Sequence, residues 1–454
     1  MNEKYHFIGI GGIGMSGLAR ILLEGGVEVS GSDLTINSIM KTLQEKGAKI
    51  FTEHSGRHIS PSMTVVFSTS IAQDNPEYQA AVLLGCRMLH RSDLLLELME
   101  GSKTLAVTGT HGKTTTSALL AWVLSEAGFE PSFAVGGMLT SFQSNAKQGG
   151  GEYFVVEADE SDGTFLKYAP HGAIVTNIGF EHMDHFQTEE MLLRSFKTFL
   201  ERVENPDLFF WCGDDERLRK LAQRGTTYGF EEGCQLRATN FCQRGWTSCF
   251  DVSFEEKKYS AVEASLTGKH NVSNVLAVFG FALRLGIEET QIRRTLKSFQ
   301  GVSRRCEKKG EAQEVLFIDD YAHHPTEIKA ILHAIRQAVK NRRLIAVFQP
   351  HRYTRTKDCL GSYGNIFDEV DELLITDIHA AGEAPIPGIS SETILAEVQK
   401  NSKIPSFYVS HDNLVAQLSE AVRPTDVVVT LGAGNITQIG PETMKALKKM
   451  KADG

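Results

Sequence analysis

Short apolar runs alternate with longer stretches of helical spacing along most of the chain. This is the pattern of repeated β–α units. Residues 5–10 read as a buried strand, 15–24 as the helix after it and 27–30 as the next strand. Residues 65–68 continue the series, and 88–99 carry a further helix with Ser92 or Asp93 as its expected N-cap. Buried strands follow at 104–107, 153–157, 173–178 and 207–212, with helical period at 189–203. Between 234 and 267 apolar and polar positions alternate strictly, carrying Phe241, Trp246, Phe250, Val252 and Phe254. That predicts antiparallel strands appended to an α/β core. A helix opens after Gly268 and runs to Leu285. Beyond a linker at 301–305, strands at 315–318, 344–348, 373–376 and 427–431, with a helix at 326–339, predict a last α/β unit.

The polar residues that interrupt this pattern gather at strand ends. After the strand at 104–107, Gly109, Thr110, His111 and Gly112 form a turn, and Lys113, Thr114 and Thr115 open an apolar helix. A nucleoside triphosphate needs this order. Turn N–H groups and the positive helix end cradle phosphate oxygens, the lysine reaches the β- and γ-phosphates, and the Thr114 hydroxyl joins a Mg²⁺ shell. The general P-loop places a glycine where Val107 stands, so this loop is compact. The strand at 153–157 runs into Glu157, Asp159, Glu160 and Asp162. Carboxylates at the end of a buried strand are costly unless they face water or a cation, and ligands sit beyond the carboxyl ends of parallel strands. A Mg²⁺ site at Glu157 is expected. The following strand leads to Glu181, His182, Asp184 and His185, where His182 is the candidate ligand; a zinc HExxH pattern is absent.

Two further strand ends are less specific. Gly11, Gly12 and Gly14 follow the first strand, with Asp33 some twenty residues on, as in the dinucleotide fingerprint. Taken alone this fits NAD, and hence an oxidoreductase, as well as any other diphosphate. Ser70 follows the strand at 65–68, and Arg91 is either a surface charge or a phosphate contact. Asn271 and Asn274, one helical turn apart, suit an adenine or ribose edge or simple helix capping. In the last unit four successive strands end in polar or glycine-rich loops, with His351, Arg352 and Arg355 suited to carboxylates or phosphates.

At 454 residues the chain exceeds one ordinary core, and boundaries are expected near 96 and 298, giving 1–96, 97–298 and 299–454. A net charge of −9, with both signs evenly spread, argues against a general nucleic-acid surface. The seven cysteines show no CxxC pair and read as reduced thiols. No leader pattern and no membrane-length apolar run is visible, so a cytoplasmic protein without membrane insertion is expected.

GIGGIGMSGLA, VTGTHGKTTT, EADESD, TNIGFEHMDHF, GKHNVSN, DDYAHHPTE, QPHRYTRT and LGAGNI occur together in the order seen in the Mur ligases of peptidoglycan synthesis. The resemblance covers nearly the whole chain and is closest to the alanine-adding branch. It implies three domains: a Rossmann-like UDP-binding one, a central P-loop ATPase-type α/β one and a C-terminal Rossmann-like α/β one. It implies ATP and Mg²⁺, with UDP-N-acetylmuramate and L-alanine as substrates, in a monomer or homodimer. Under it Gly11, Gly12, Gly14, Ser70 and Arg91 serve the UDP diphosphate rather than a nicotinamide. Lys113 and Thr114 take ATP phosphates, and Thr114, Glu157 and His182 hold Mg²⁺. Asn271, Asn274, Arg304 and Asp320 match positions near the adenosine or phosphates. Tyr321, His323, His351, Arg352 and Arg355 match the muramoyl and amino-acid end. FEHMD stands where many relatives have ADHMD, and Cys306 where an aromatic is commoner. Lys197 lies where some relatives carry a carbamylated lysine, and it is left out of the expected site.

Overall fold

The computed structural model describes residues 3–161, 163–181 and 186–453. Among them three sheets follow one another along the chain. The first holds β1 (Lys4–Ile8), β2 (Glu28–Ser32), β3 (Lys49–Phe51), β4 (Met63–Phe67) and β5 (Arg87–His90) in the order β3-β2-β1-β4-β5. All its pairings are parallel, so every strand ends on one edge. The order reverses at β1, and the glycine turn after β1 lies at that switch point.

The second sheet contains β6 (Lys103–Thr108), β7 (Ser132–Leu139), β8 (Ser144–Lys147), β9 (Tyr153–Glu157), β10 (Gly172–Val175), β11 (Phe209–Cys212), β12 (Thr226–Gly229), β13 (Leu236–Arg244), β14 (Thr247–Phe254) and β15 (Lys257–Ala264). Its order is β15-β14-β13-β12-β11-β10-β6-β9-β7-β8. The expected appended strands are β13 to β15, and burial alternates along β14 as the sequence period requires. Helix Lys113–Glu126 is buried on nearly every side, which explains an apolar run without an amphipathic face.

The third sheet joins β16 (Glu307–Ala312), β17 (Val315–Asp320), β18 (Leu344–Phe348), β19 (Glu372–Ile375), β20 (Ser406–Tyr408) and β21 (Val427–Leu431) in the order β16-β17-β21-β18-β19-β20. Only the β16–β17 pairing is antiparallel; the rest are parallel. Successive side chains of a strand enter opposite cores. Leu316, Ile318, Leu344, Ala346 and Phe348 belong to one cluster; Phe317, Ile345 and Val347 belong to another. A sheet covered on both faces needs continuous apolar strands, which is why these strands read clearly.

By internal contacts the chain divides into two compact units: Met1–Thr239 with Asp251–Val262 and Ser273–Gln300, and Asn240–Phe250 with Glu263–Val272 and Gly301–Gly454. The first sheet and the second sheet from β6 to β12 thus share a unit. Asn145 Nδ2 of β8 donates to Ile13 O at the start of helix Ile13–Glu24 (2.7 Å). The expected N-cap at Ser92 or Asp93 is corrected. Helix Arg91–Met99 begins earlier, and His90 caps it, its ring accepting from Ser92 N. No helix among the described residues is long and apolar enough to cross a membrane.

Candidate active site

The turn after β6 is held from behind by the end of β10. Thr110 N donates to Asn177 O (3.0 Å), His111 N to Asn177 Oδ1 (2.9 Å) and Thr176 Oγ1 to His111 O (2.6 Å). Thr110 Oγ1 accepts from Gly179 N (2.7 Å). Two positions demand glycine. Gly109, at φ +124°, would put a Cβ 2.2 Å from Thr176 Oγ1, and Gly112, at φ +85°, would put one 2.7 Å from Asn274 Oδ1. The turn therefore delivers the first-turn N–H groups of helix Lys113–Glu126, which lack intrahelical acceptors, in a fixed direction. Thr114 and Thr115 are buried within that turn.

Lys113 Nζ donates to Gly109 O (2.7 Å), Thr110 O (3.2 Å) and both oxygens of Glu160 (2.8 and 3.0 Å). Burial pulls its pKa down, but the carboxylates of Glu160, Asp159 and Glu157 outweigh that and raise it. Lys113 remains a cation. Thr114 Oγ1 donates to Glu157 Oε1 (3.0 Å), and Gly136 N to Glu157 Oε2 (2.6 Å). Burial pushes the Glu157 carboxyl up against the pull of Lys113. A half-buried carboxylate beside a threonine hydroxyl is a hard-oxygen donor set of the kind a Mg²⁺ ion takes, so these residues fit the expected metal. His182 lies outside the described residues. Lys197 pairs loosely with Glu201 (3.9 Å) on an exposed helix face.

The glycine turn of the first sheet is also tied at its base. Gly11 N donates to Asp33 Oδ2 (3.0 Å) and Asn37 Nδ2 to Gly11 O (2.9 Å); Gly12 N returns to Gly9 O (3.2 Å). A Cβ on Gly14 would lie 3.3 Å from Arg91 Nη1, so the arginine faces the start of helix Ile13–Glu24. Ser70 shares a hydrogen bond with Ser68 (2.7 Å), and Ile71, next to it, approaches Gly9. These residues do come together around one helix N-terminus.

In the third sheet the four loops also converge. His323 and His351 lie 6.0 Å apart by ring centroid, with Tyr321 edge-on to His323 and Arg355 Nη1 3.5 Å from His351 Nδ1. Burial lowers His323 to about 4; burial, then His323 and Arg355, lower His351 to about 3. Both rings are neutral near pH 7. Arg352 Nε pairs with Glu383 Oε1 (2.7 Å). Asp320 accepts from Cys306 N and Ala322 N, each at 2.7 Å, and burial pushes it up to about 6. Arg304 donates to Gly432 O, Ala433 O and Gly434 O and lies over Tyr321. It braces the glycine-rich loop after β21. Asn271 Nδ2 caps back onto Thr267 O (2.8 Å).

Several site residues escaped the sequence reading. Glu160 was visible in the acidic run, but only the fold shows that both its oxygens accept from Lys113 Nζ. Asn177 anchors the phosphate turn. His379 stacks on His351 at 5.4 Å. Beneath the first glycine turn, buried Glu77 accepts from Ser32 Oγ and faces His58 Nδ1 (2.7 Å), His54 Nδ1 (3.1 Å) and His6 Nε2 (3.4 Å). Ser32 O in turn accepts from Gly9 N (2.8 Å) and Ile10 N (3.0 Å). No local pattern announces five residues drawn from four separate stretches of the chain.

A phosphate-cradling turn with a partly buried lysine, an adjoining oxygen donor pair and three successive α/β sheets define a nucleotide-dependent enzyme of multi-domain build. The chain matches the Mur ligase family catalytic domain over residues 4–103, the Mur ligase middle domain over 107–282 and the Mur ligase glutamate ligase domain over 304–434. It belongs to the Mur ligase family. It is 52% identical to a UDP-N-acetylmuramate–L-alanine ligase of Protochlamydia amoebophila, over 99% of this chain and 100% of that protein. It is 43% identical to a bifunctional MurC/Ddl enzyme of Chlamydia caviae over 97% of this chain, which spans 54% of that longer protein. Among solved structures, the UDP-N-acetylmuramate-alanine ligase MurC of Thermotoga maritima superimposes with a TM-score of 0.85 at 26% identity, over 98% of this chain and 99% of that one.

Proposed function

We infer that the chain joins L-alanine to the lactyl carboxylate of UDP-N-acetylmuramate, driven by ATP through an acyl-phosphate intermediate, in the cytoplasm. The observation that carries this reading is the Lys113 turn, built for a triphosphate, in a chain 52% identical over 99% of its length to a protein named for that ligation. The residues at 109–115 serve the ATP phosphates, with Asn271, Asn274, Arg304 and Asp320 toward the adenosine part. Gly11, Gly12, Gly14, Asp33, Ser70 and Arg91 serve the nucleotide sugar. Tyr321, His323, His351, Arg352 and Arg355 serve the muramoyl and amino-acid end.

Thr114 and Glu157, with His182, would hold Mg²⁺, which supplies charge neutralisation on the phosphates when bound. The muramoyl carboxylate and the γ-phosphate are both anions, and Lys113 offsets their repulsion while the phosphoryl group moves. The alanine ammonium gives up a proton to solvent, its neutral amine attacks the acyl carbon, and the tetrahedral oxyanion, losing a second nitrogen proton, collapses to the amide with release of phosphate. Arg355 and Arg352 are suited to the alanine carboxylate, while the uncharged rings of His323 and His351 add hydrogen bonding without repelling an ammonium group.

Phosphate release measured with UDP-N-acetylmuramate and a panel of amino acids tests the reading, and alanine is expected to support the fastest release. Release that follows an intact tripeptide instead would assign the chain to the peptide-adding branch. Release independent of the nucleotide sugar would overturn the proposal.

A further inference from the structure

Strands β13 and β14 are joined by the two residues Gly245 and Trp246. Gly245, at φ +58°, takes the left-handed first position that such tight hairpin turns require. A two-residue turn fixes the register, so Arg244 faces Thr247 and, two residues along each strand, Cys242 faces Cys249. Burial alternates down the hairpin: Ser248 and Phe250 point inward, while Cys242 is exposed and Cys249 half-buried on the outer side. The Cys242 thiol is near enough to Cys249 to help raise its pKa. Facing residues of antiparallel strands have Cα atoms roughly 4.5–5.5 Å apart, inside the roughly 4.4–6.8 Å that a disulfide spans.

The residue between these cysteines and the turn does structural work. Gln243 Nε2 donates to Ala334 O (2.8 Å), and Gln243 Oε1 accepts from Gly268 N (3.0 Å). Gly268, at φ +90°, opens the turn that leads into helix Lys269–Arg284 and Asn271. Lys308 lies over the Trp246 ring at 4.3 Å. The hairpin tip therefore buttresses the turn assigned above to the nucleotide. All of these residues fall in the second compact unit, just beyond the points where β13 and β14 cross into it.

We propose that Cys242 and Cys249 form a reversible dithiol–disulfide site that sets the stiffness of this buttress. The reagent is a small-molecule disulfide such as oxidised glutathione. The exposed Cys242 thiolate attacks one sulfur of the reagent, whose S–S bond breaks and expels the first thiolate. Cys249 sulfur then attacks the mixed disulfide at Cys242 and expels the second. The two cysteine protons end on the released thiols, and one electron pair passes from the chain to the reagent. Burial, then the neighbouring Cys242, hold the Cys249 thiol protonated, which makes Cys242 the attacking group.

The test incubates the full chain with oxidised glutathione, blocks remaining thiols with N-ethylmaleimide and maps the peptides by mass. A linked Cys242–Cys249 peptide pair is expected, lost on dithiothreitol treatment and absent in the Cys242→Ser variant. Recovery of both peptides carrying N-ethylmaleimide, or each carrying its own glutathione, would overturn the site. This readout needs no substrate, so it stands apart from the proposed ligation. In the phosphate-release assay the oxidised chain is expected to show a KM for ATP changed by about twofold or more, restored by dithiothreitol and unresponsive in Cys242→Ser. A disulfide that forms without moving that KM would overturn the buttress role.

Discussion

Lys113 carries a charge that is costly to bury alone, and Glu160, 1% exposed, is its counter-ion. An arriving triphosphate brings negative charge to the same ammonium, so phosphate and Glu160 compete for it. Lys113→Ala is expected to lower turnover by roughly 10²–10³-fold, the range seen when one electrostatic donor to a transition state is lost. Circular dichroism should be unchanged, and near-normal turnover would remove Lys113 from the mechanism. Glu160→Gln leaves the ammonium with a neutral partner and should cost about 3–5 kcal/mol, as for other broken buried pairs. ATP should then raise the melting temperature of Glu160→Gln by more than it raises that of the parent chain. An equal rise in both would show that Glu160 is no counter-ion for Lys113. Gly112 is the other residue without slack. Its left-handed φ and the Asn274 amide 2.7 Å from a Cβ tie the turn to one residue type.

Elements are positioned by a few such close approaches. Helix Ile13–Glu24 meets β8 at Gly17, where a Cβ would lie 2.8 Å from Asn145 Nδ2 and 3.2 Å from Ala146 Cβ. Gly17→Ala should destabilise by about 1–3 kcal/mol, as overpacking does, and should raise the KM for the nucleotide sugar because the glycine turn heads that helix. The Glu77 network couples β1, β2, Gly56–His58 and helix Pro76–Leu83 in the same way. Burial alone would raise the Glu77 pKa, but the neighbouring His6 ring and the hydrogen bonds with Ser32 and His58 lower it from 4.5 to about 2. A depressed carboxylate contributes stability that is fully present above its unfolded value and is lost as pH falls through the folded one. Unfolding measured from pH 5 down to about 2 should therefore steepen with acid in the parent chain and less so in Glu77→Gln. Strand–turn–helix units were legible from the sequence because apolar strands covered on both faces leave unbroken runs, and because glycine, lysine and threonine announce the phosphate turn. β7 was not, since Gly136 and Gly137 interrupt it. The His90 cap was missed because an imidazole there replaces the usual hydroxyl or carboxylate.

At the scale of the whole molecule, the division into two compact units makes a thermal prediction. Units with separate cores unfold as separate cooperative blocks unless a large apolar interface couples them. Both glycine turns, at 9–14 and 109–112, lie in the first unit. The histidine and arginine loops at 323 and 351–355 lie in the second. A ligand stabilises the block that binds it by RT ln(1 + [L]/Kd), about 2.7 kcal/mol at a hundredfold excess over Kd. Calorimetry should resolve two transitions. Gly17→Ala identifies that of the first unit by lowering it alone. UDP-N-acetylmuramate should raise that same transition by more than the other, because the contacts assigned to its diphosphate all lie in the first unit. Arg355→Ala, in contrast, should leave the nucleotide-sugar shift intact while raising the KM for alanine. A nucleotide sugar that moved only the second transition would separate the glycine turn at 9–14 from the diphosphate it is assigned.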